Sequence, residues 1–292
     1  MIPDNAKKQK TEAILNAIKD LPSIPKVVFE VTKLLNDSKT SPNLLSDMIG
    51  KDQALTSKVL AIANSPLYGL KRKVSSIEFA VLILGFQELK NIVAALSFAD
   101  SIEVVPTSYF DPQEFWLHSI VVGTAAKGIS QHLGFEFGSD AFVAGLLHDL
   151  GILIIYKFFN VEFVEIIIKA SSEKMTILEA ERQILGLTHQ EIGKFLAEKW
   201  DLPLILCDSI NYHHNPSEAN ENNYFVSIIH LVDYMTQRIR VAQFYWDKEM
   251  ILDNKILEIL NFSSEEAVDN LISDYNEMFK ATAESLKKSL FT

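Results

Sequence analysis

Apolar residues recur along this chain at spacings of three and four. Leu55, Val59, Leu60 and Ile62 form one such stripe, and Val27, Val28, Val31, Leu34 and Leu35 form another. No run alternates apolar and polar residues between turn signals, so the pattern predicts an all-α protein. Helix starts are marked repeatedly. Ser75-Ser76-Ile77-Glu78, Thr176-Ile177-Leu178-Glu179 and Thr188-His189-Gln190-Glu191 each place a hydroxyl three residues before a glutamate, the pairing that satisfies free amides at a helix start. In Asp111-Pro112-Gln113-Glu114 the proline takes the first helical position, where its missing N–H costs nothing, and a helix from Asp111 to His132 follows.

Breaks at Leu21–Pro25, Asp37–Pro42, Gly50-Lys51 and Ser65–Val74 divide the first hundred residues into short helices. Ser101–Ser108, with Pro106 among β-branched neighbours, reads as a connector. The expected organisation is an N-terminal helix (1–20), a helical subdomain (21–108), a second helical subdomain (109–240) and a more charged C-terminal extension (241–292), which reads as a helical hairpin.

Composition narrows the function. With 292 residues, 48% of them hydrophobic, the chain can bury a large core. Its 38 acidic against 27 basic residues give a net charge of −11, which disfavours nucleic acid and anionic membranes as partners. The one basic run, Lys71-Arg72-Lys73, reads as a solvated loop, and no basic recognition helix accompanies it. Cys207 is the single cysteine, so no intramolecular disulfide is expected and a cytoplasmic setting is. The most apolar stretch, Ala141–Tyr156, is interrupted by His148-Asp149, and neither a signal peptide nor a membrane span is expected.

Six of the seven histidines lie between His118 and His214. His118 is mid-helix, His148-Asp149 ends an apolar run, His189 follows the Thr188 cap, and His213-His214 close a helix before Asn215-Pro216. Asp233 sits in a further apolar helix. Buried imidazoles and carboxylates need partners, and metal ions are one kind. Such a set suits zinc, iron or manganese, with a carboxylate able to bridge two ions and activate water for phosphoester hydrolysis. The alternative is a hydrogen-bonded core network, or helix-end histidines favoured by the dipole. His132 reads as a helix C-terminal residue without a site role. His230, three residues before Asp233, reads as a ligand or, more readily, as that aspartate's partner.

The order His118, His148-Asp149, Asp233 resembles the signature of the HD superfamily of metal-dependent phosphohydrolases. From about Leu21 to Pro216 the chain is similar to its HDOD branch. The resemblance is carried by Leu21-Pro22-Ser23-Ile24-Pro25, Asp52-Gln53-Ala54-Leu55, Ala63-Asn64-Ser65, Trp116-Leu117-His118-Ser119, the run from Ala141 to Gly151, Glu181, His189-Gln190-Glu191-Ile192-Gly193, Leu202-Pro203 and Tyr212 to Pro216. It implies an N-terminal helical bundle packed on an HD-type helical bundle, and a regulatory role in bacterial signal transduction, usually without catalysis. No receiver-like or cyclic-dinucleotide module accompanies it, so a separate signalling protein is the implied partner.

The enzymatic relative is the HD-GYP phosphodiesterase branch. By residue type His118, His148, Asp149, His189, His213, His214 and Asp233 match that branch's metal-ligand pattern, which implies one or two ions of iron, manganese or zinc. Two departures oppose activity. Ile152 stands where that branch has a lysine, and Asn215-Pro216-Ser217-Glu218 replaces its Gly-Tyr-Pro segment. The resemblance therefore favours a non-catalytic regulator, with a metal-dependent phosphohydrolase acting on nucleotides or cyclic dinucleotides as the alternative.

Overall fold

A computed structural model describes residues 4–18, 41–86, 88–90, 92–93, 96, 105–135, 137–242, 246 and 250–291. The proline-flanked opening at Leu21–Pro25 and the Val27–Leu35 stripe lie outside the described residues, as does the first half of the Ser101–Ser108 connector. Within the described residues the chain is helical, and an isolated bridge between Thr107 and Phe110 is the one β-type pairing.

After α1 (Asp4–Ala17), α2 (Pro42–Ile49) starts where the Ser41 hydroxyl accepts from the Leu44 amide, and α3 (Gln53–Ala63) where Asp52 accepts from that of Leu55. A 3-10 turn (Pro66–Tyr68) leads into an exposed loop containing Lys71-Arg72-Lys73. Helix α4 (Ile77–Leu84) begins one residue later than the sequence pattern predicts. Ser76, extended at φ −148° and ψ 161°, accepts from the Phe79 amide, so Glu78 is only two residues past the cap and the expected reciprocal box does not form.

Helix α5 (Pro112–His132) starts at the Asp111 cap with Pro112 in its first turn, as the pattern requires. Helices α6 (Gly138–Leu147) and α7 (Leu150–Phe158) are separated by His148-Asp149. Then come α8 (Asn160–Glu173) and α9 (Ile177–Leu185), followed by α10 (His189–Lys199). Both α9 and α10 carry complete capping boxes, Thr176 with Glu179 and Thr188 with Glu191. Helix α11 (Leu204–Tyr212) ends at His213. Two 3-10 turns, Pro216–Glu218 and Asn220–Asn222, precede α12 (Asn223–Ile239), and α13 (Lys255–Ile259) and α14 (Glu265–Leu290) follow.

Helix α5 packs along α6 and α12, α7 packs on α10, and α10 on α11, so these six helices form one bundle around the histidines. Helix pairs approach closely where glycines face each other. A Cβ on Gly145 of α6 would stand 2.7 Å from the Gly123 Cα of α5, and one on Gly151 of α7 would come 1.8 Å from the His189 carbonyl oxygen of α10. Side chains at either crossing would push the ligand-bearing helices apart.

The C-terminal residues do more than append a hairpin. Helix α14 lies across α3, the Pro66–Tyr68 turn, α5 and α12, and its buried Thr282 hydroxyl accepts from the Leu67 amide at 3.2 Å. A second tie between the halves is ionic. Buried Glu88 accepts from Tyr68 and pairs with Lys127 of α5 at 3.0 Å, with the ammonium 4.6 Å from the Tyr68 ring centre. The run Asp140–Phe158 is apolar and long enough to cross a membrane, but it is broken at His148-Asp149 and 78% of it is buried in this core.

Candidate metal centre

The fold carries His118, His148, Asp149, His189, His213, His214 and Asp233 from five different places to one interior point. His118 comes from the middle of α5 and Asp233 from the middle of α12. His148 and Asp149 occupy the α6–α7 turn, His189 opens α10, and His213-His214 leave the end of α11. Six of the seven are buried to 1% exposure or less, and His214 is partly exposed.

Asp149 stands between two sets of donors. Its Oδ1 lies 3.3 Å from His213 Nε2 and 3.6 Å from His189 Nε2, while its Oδ2 lies 3.1 Å from His148 Nε2 and 3.8 Å from His118 Nε2. Asp233 completes the second set, with Oδ1 3.2 Å from His118 Nε2 and Oδ2 3.9 Å from His148 Nε2. His214 joins the first set through Nε2, 3.2 Å from that of His189. Four residues (Asp149, His189, His213, His214) and three (His118, His148, Asp233) thus form adjacent groups, each with its donor atoms within 4.8 Å of one another.

The donors are oriented from behind. His148 Nδ1–H donates to the Gly145 carbonyl at 2.6 Å and His213 Nδ1–H to that of Ile210 at 2.9 Å, which turns each Nε2 toward the cluster. His189 is held by fully buried Glu181, which accepts its backbone N–H at 2.8 Å and its Nδ1–H at 2.9 Å. Trp246 Nε1–H donates to the same carboxylate at 2.8 Å.

Charge is concentrated here beyond what hydrogen bonds absorb. Among the described residues, both carboxylate oxygens of Asp149 and of Asp233, and Nε2 of His148, are buried without a hydrogen-bond partner. Burial alone would lower the His148 pKa, but the charge of Asp149 and then Asp233 outweighs it and raises it to about 9. Burial opposes the charge on Asp149 as well, yet His148 and His213 hold its carboxyl well below the ordinary range. Burial and neighbouring His214 push His213 down to about 3, so its ring is neutral. Imidazole nitrogens facing bare carboxylates in a water-excluded space match the donor chemistry of zinc, iron or manganese, and the residues fit such ions.

The HDOD domain sequence pattern matches residues 21–216, about two-thirds of the chain. The chain belongs to the HDOD domain family. A crystal structure of an HDOD domain protein of unknown function from Geobacter sulfurreducens is 26% identical, with TM-score 0.78 over 99% of each chain. A Shewanella amazonensis protein provisionally named a metal-dependent phosphohydrolase has the same fold at 20% identity, with TM-score 0.65 over 98% of this chain and 99% of that one. In sequence, an uncharacterized protein of Treponema pallidum (strain Nichols) is 24% identical over 279 residues. The match covers 92% of the HDOD chain but only 52% of the relative, so the chain spans about half the length of that protein.

Two expectations about histidines resolve differently. His132 contacts the Tyr275 ring of α14 and lies apart from the cluster. His230 does not hydrogen-bond Asp233. Its Nδ1–H donates to the His213 carbonyl at 2.6 Å and its Nε2 accepts the Asp253 amide at 2.8 Å, because its ring reaches back to the end of α11. The supporting groups were not assigned roles by sequence reasoning. Glu181 shares a helix face with Ile177, Ile184 and Leu185, and a carboxylate in an apolar stripe is the signal that marks it. Trp246 and Asp253 carry no such local signal.

Proposed function

We propose that this HDOD chain is a regulatory module that holds one or two divalent metal ions and acts through a signalling protein without turning over a substrate. The observation that carries the metal reading is Asp149, whose two oxygens are divided between His189 and His213 on one side and His118 and His148 on the other. His189, His213, His214 and Asp149 would hold one ion, and His118, His148 and Asp233, with Asp149 shared, a second. Bound there, the ions would neutralise buried charge and supply Lewis acidity.

The non-catalytic part of the reading rests on what surrounds the cluster. Fully buried Ile152 packs where the phosphodiesterase branch has its lysine, so this chain offers no cation at that position for phosphate oxygens. Six of the seven donors are sealed from solvent.

One feature favours a second reading, a metal-dependent phosphohydrolase. A groove of about 1010 Å³ reaches His214 and carries Lys174 and Lys255 in its lining. In that reading His214 faces the substrate while Glu181 fixes His189 behind it.

Elemental analysis of untagged protein, paired with a nucleotide and cyclic-dinucleotide hydrolysis panel in iron, manganese and zinc, separates the two. The regulatory reading expects one or two equivalents of metal, lost in His148→Ala, and no product. Turnover by the wild type that disappears in Asp149→Ala would replace it with the hydrolase.

A further inference from the structure

Among the described residues beyond α12, the chain returns to the metal centre at two points. At the first, Trp246, 1% exposed, stacks on Phe163 with ring centres 4.3 Å apart and donates its indole N–H to Glu181 at 2.8 Å. Glu181 in turn holds the backbone and ring of His189. At the second, the Asp253 amide donates to His230 Nε2 at 2.8 Å, and His230 passes its Nδ1–H to the His213 carbonyl at 2.6 Å. Because Nε2 accepts, the proton of His230 is fixed on Nδ1 and the chain of bonds runs one way.

Both relays end on residues whose Nε2 atoms face the same oxygen, Asp149 Oδ1. Ile251 is 77% exposed, and residues 250–253 together with Trp246 form one wall of the groove beside His214. Trp246 and residues 250–253, tied to groups that orient two candidate ligands, are positioned to respond to what those ligands hold.

We propose that docking of this strap, Trp246 with residues 250–253, and occupancy of the metal centre form one coupled equilibrium, with Trp246 and Asp253 as positioning residues for His189 and His213. The inference rests on the metal-binding reading. An ion that fixes His189 and His213 fixes Glu181 and His230, and these hold the indole N–H and the Asp253 amide. By linkage the influence is reciprocal, and a partner that grips the docked strap tightens metal binding by the same factor that metal tightens docking. Groups that orient a metal ligand from behind typically change metal affinity by about 10- to 100-fold.

The test uses the full chain and zinc alone. Zinc titration of the wild type comes first; no uptake removes the metal reading and the coupling with it. With uptake established, exchange of the Asp253 amide is followed by NMR with and without zinc, and zinc affinity is measured for Trp246→Phe, which keeps the stacking on Phe163 and loses the N–H. The expected result is at least about tenfold slower Asp253 exchange with zinc and at least about tenfold weaker zinc binding by the variant, measured at a temperature where the apo variant, though it melts lower than the wild type, is still folded. Asp253 exchange that ignores zinc overturns the coupling while leaving the metal site intact, and wild-type affinity in Trp246→Phe does the same. The exchange arm needs no variant, so a misfolded substitution does not rescue the idea.

Discussion

Gly151 and His189 touch through backbone: a Cβ on the glycine would stand 1.8 Å from the histidine's carbonyl oxygen. That contact sets the spacing of α7 and α10 and so the distance from Asp149 to His189. Gly151→Ala must separate the helices, because a carbonyl held in a helix cannot swing aside as a flexible side chain can. We expect a loss of about 3 kcal/mol in urea unfolding and a drop in bound metal. Wild-type stability in the alanine variant would mean that the crossing is looser than the geometry requires.

Asp149→Asn keeps the shape of the side chain and removes its charge. The opposing charge of Asp149 is the strongest influence raising His148, so the His148 pKa should fall well below about 9 in the variant. NMR titration of the His148 ring in metal-free protein reads this directly. Metal content should fall in parallel, because the oxygen pair serving both donor groups is lost. An unchanged His148 titration would show that Asp233 alone maintains it.

Metal uptake should release a proton near neutral pH. In the metal-free chain His148, at about 9, is protonated at pH 7, whereas His213, at about 3, is already neutral. An ion taking His148 Nε2 displaces one proton, so apparent affinity should rise by about tenfold per pH unit between pH 7 and 9. Calorimetry in buffers of different ionisation enthalpy counts that proton. The sign for stability is opposite in the metal-free protein. A folded pKa raised above its unfolded value of 6.5 gives His148 a contribution that is complete at low pH and is lost as pH rises from about 6.5 through about 9. His213 works the other way, and its neutral burial costs stability as pH falls from 6.5 toward about 3.

Glu88→Gln should destabilise the chain by about 3 kcal/mol, since it leaves the Lys127 ammonium, only 14% exposed along its side chain, without its counter-charge. Thermal or urea melts of the single variant against Glu88→Gln/Lys127→Met distinguish a charge effect from a packing one. Recovery in the double variant is the expected outcome.

The sequence was most informative where chemistry is local. Thr176 and Thr188 mark their helices because a capping box needs only four adjacent residues, and the ends of α10 and α11 put His189 and His213 where caps and proline place them. Ser75 and Ser76 were harder to separate, since either hydroxyl can cap and backbone geometry made the choice. The candidate donors were legible as polar residues in apolar runs. Their division around Asp149 was not, because it depends on glycine crossings between helices distant in sequence. For the same reason the reach of Trp246 to Glu181, 65 residues apart, and of Asp253 to His230 left no trace in local pattern.

The bond from Leu67 to Thr282 joins residues 215 positions apart, and α14 covers α3 and the Pro66–Tyr68 turn around it. Closing so long a loop is entropically slow and must await synthesis of its far end. On the ribosome, α3 and the Pro66–Tyr68 turn therefore wait with part of their apolar surface uncovered until α14 emerges to close over them.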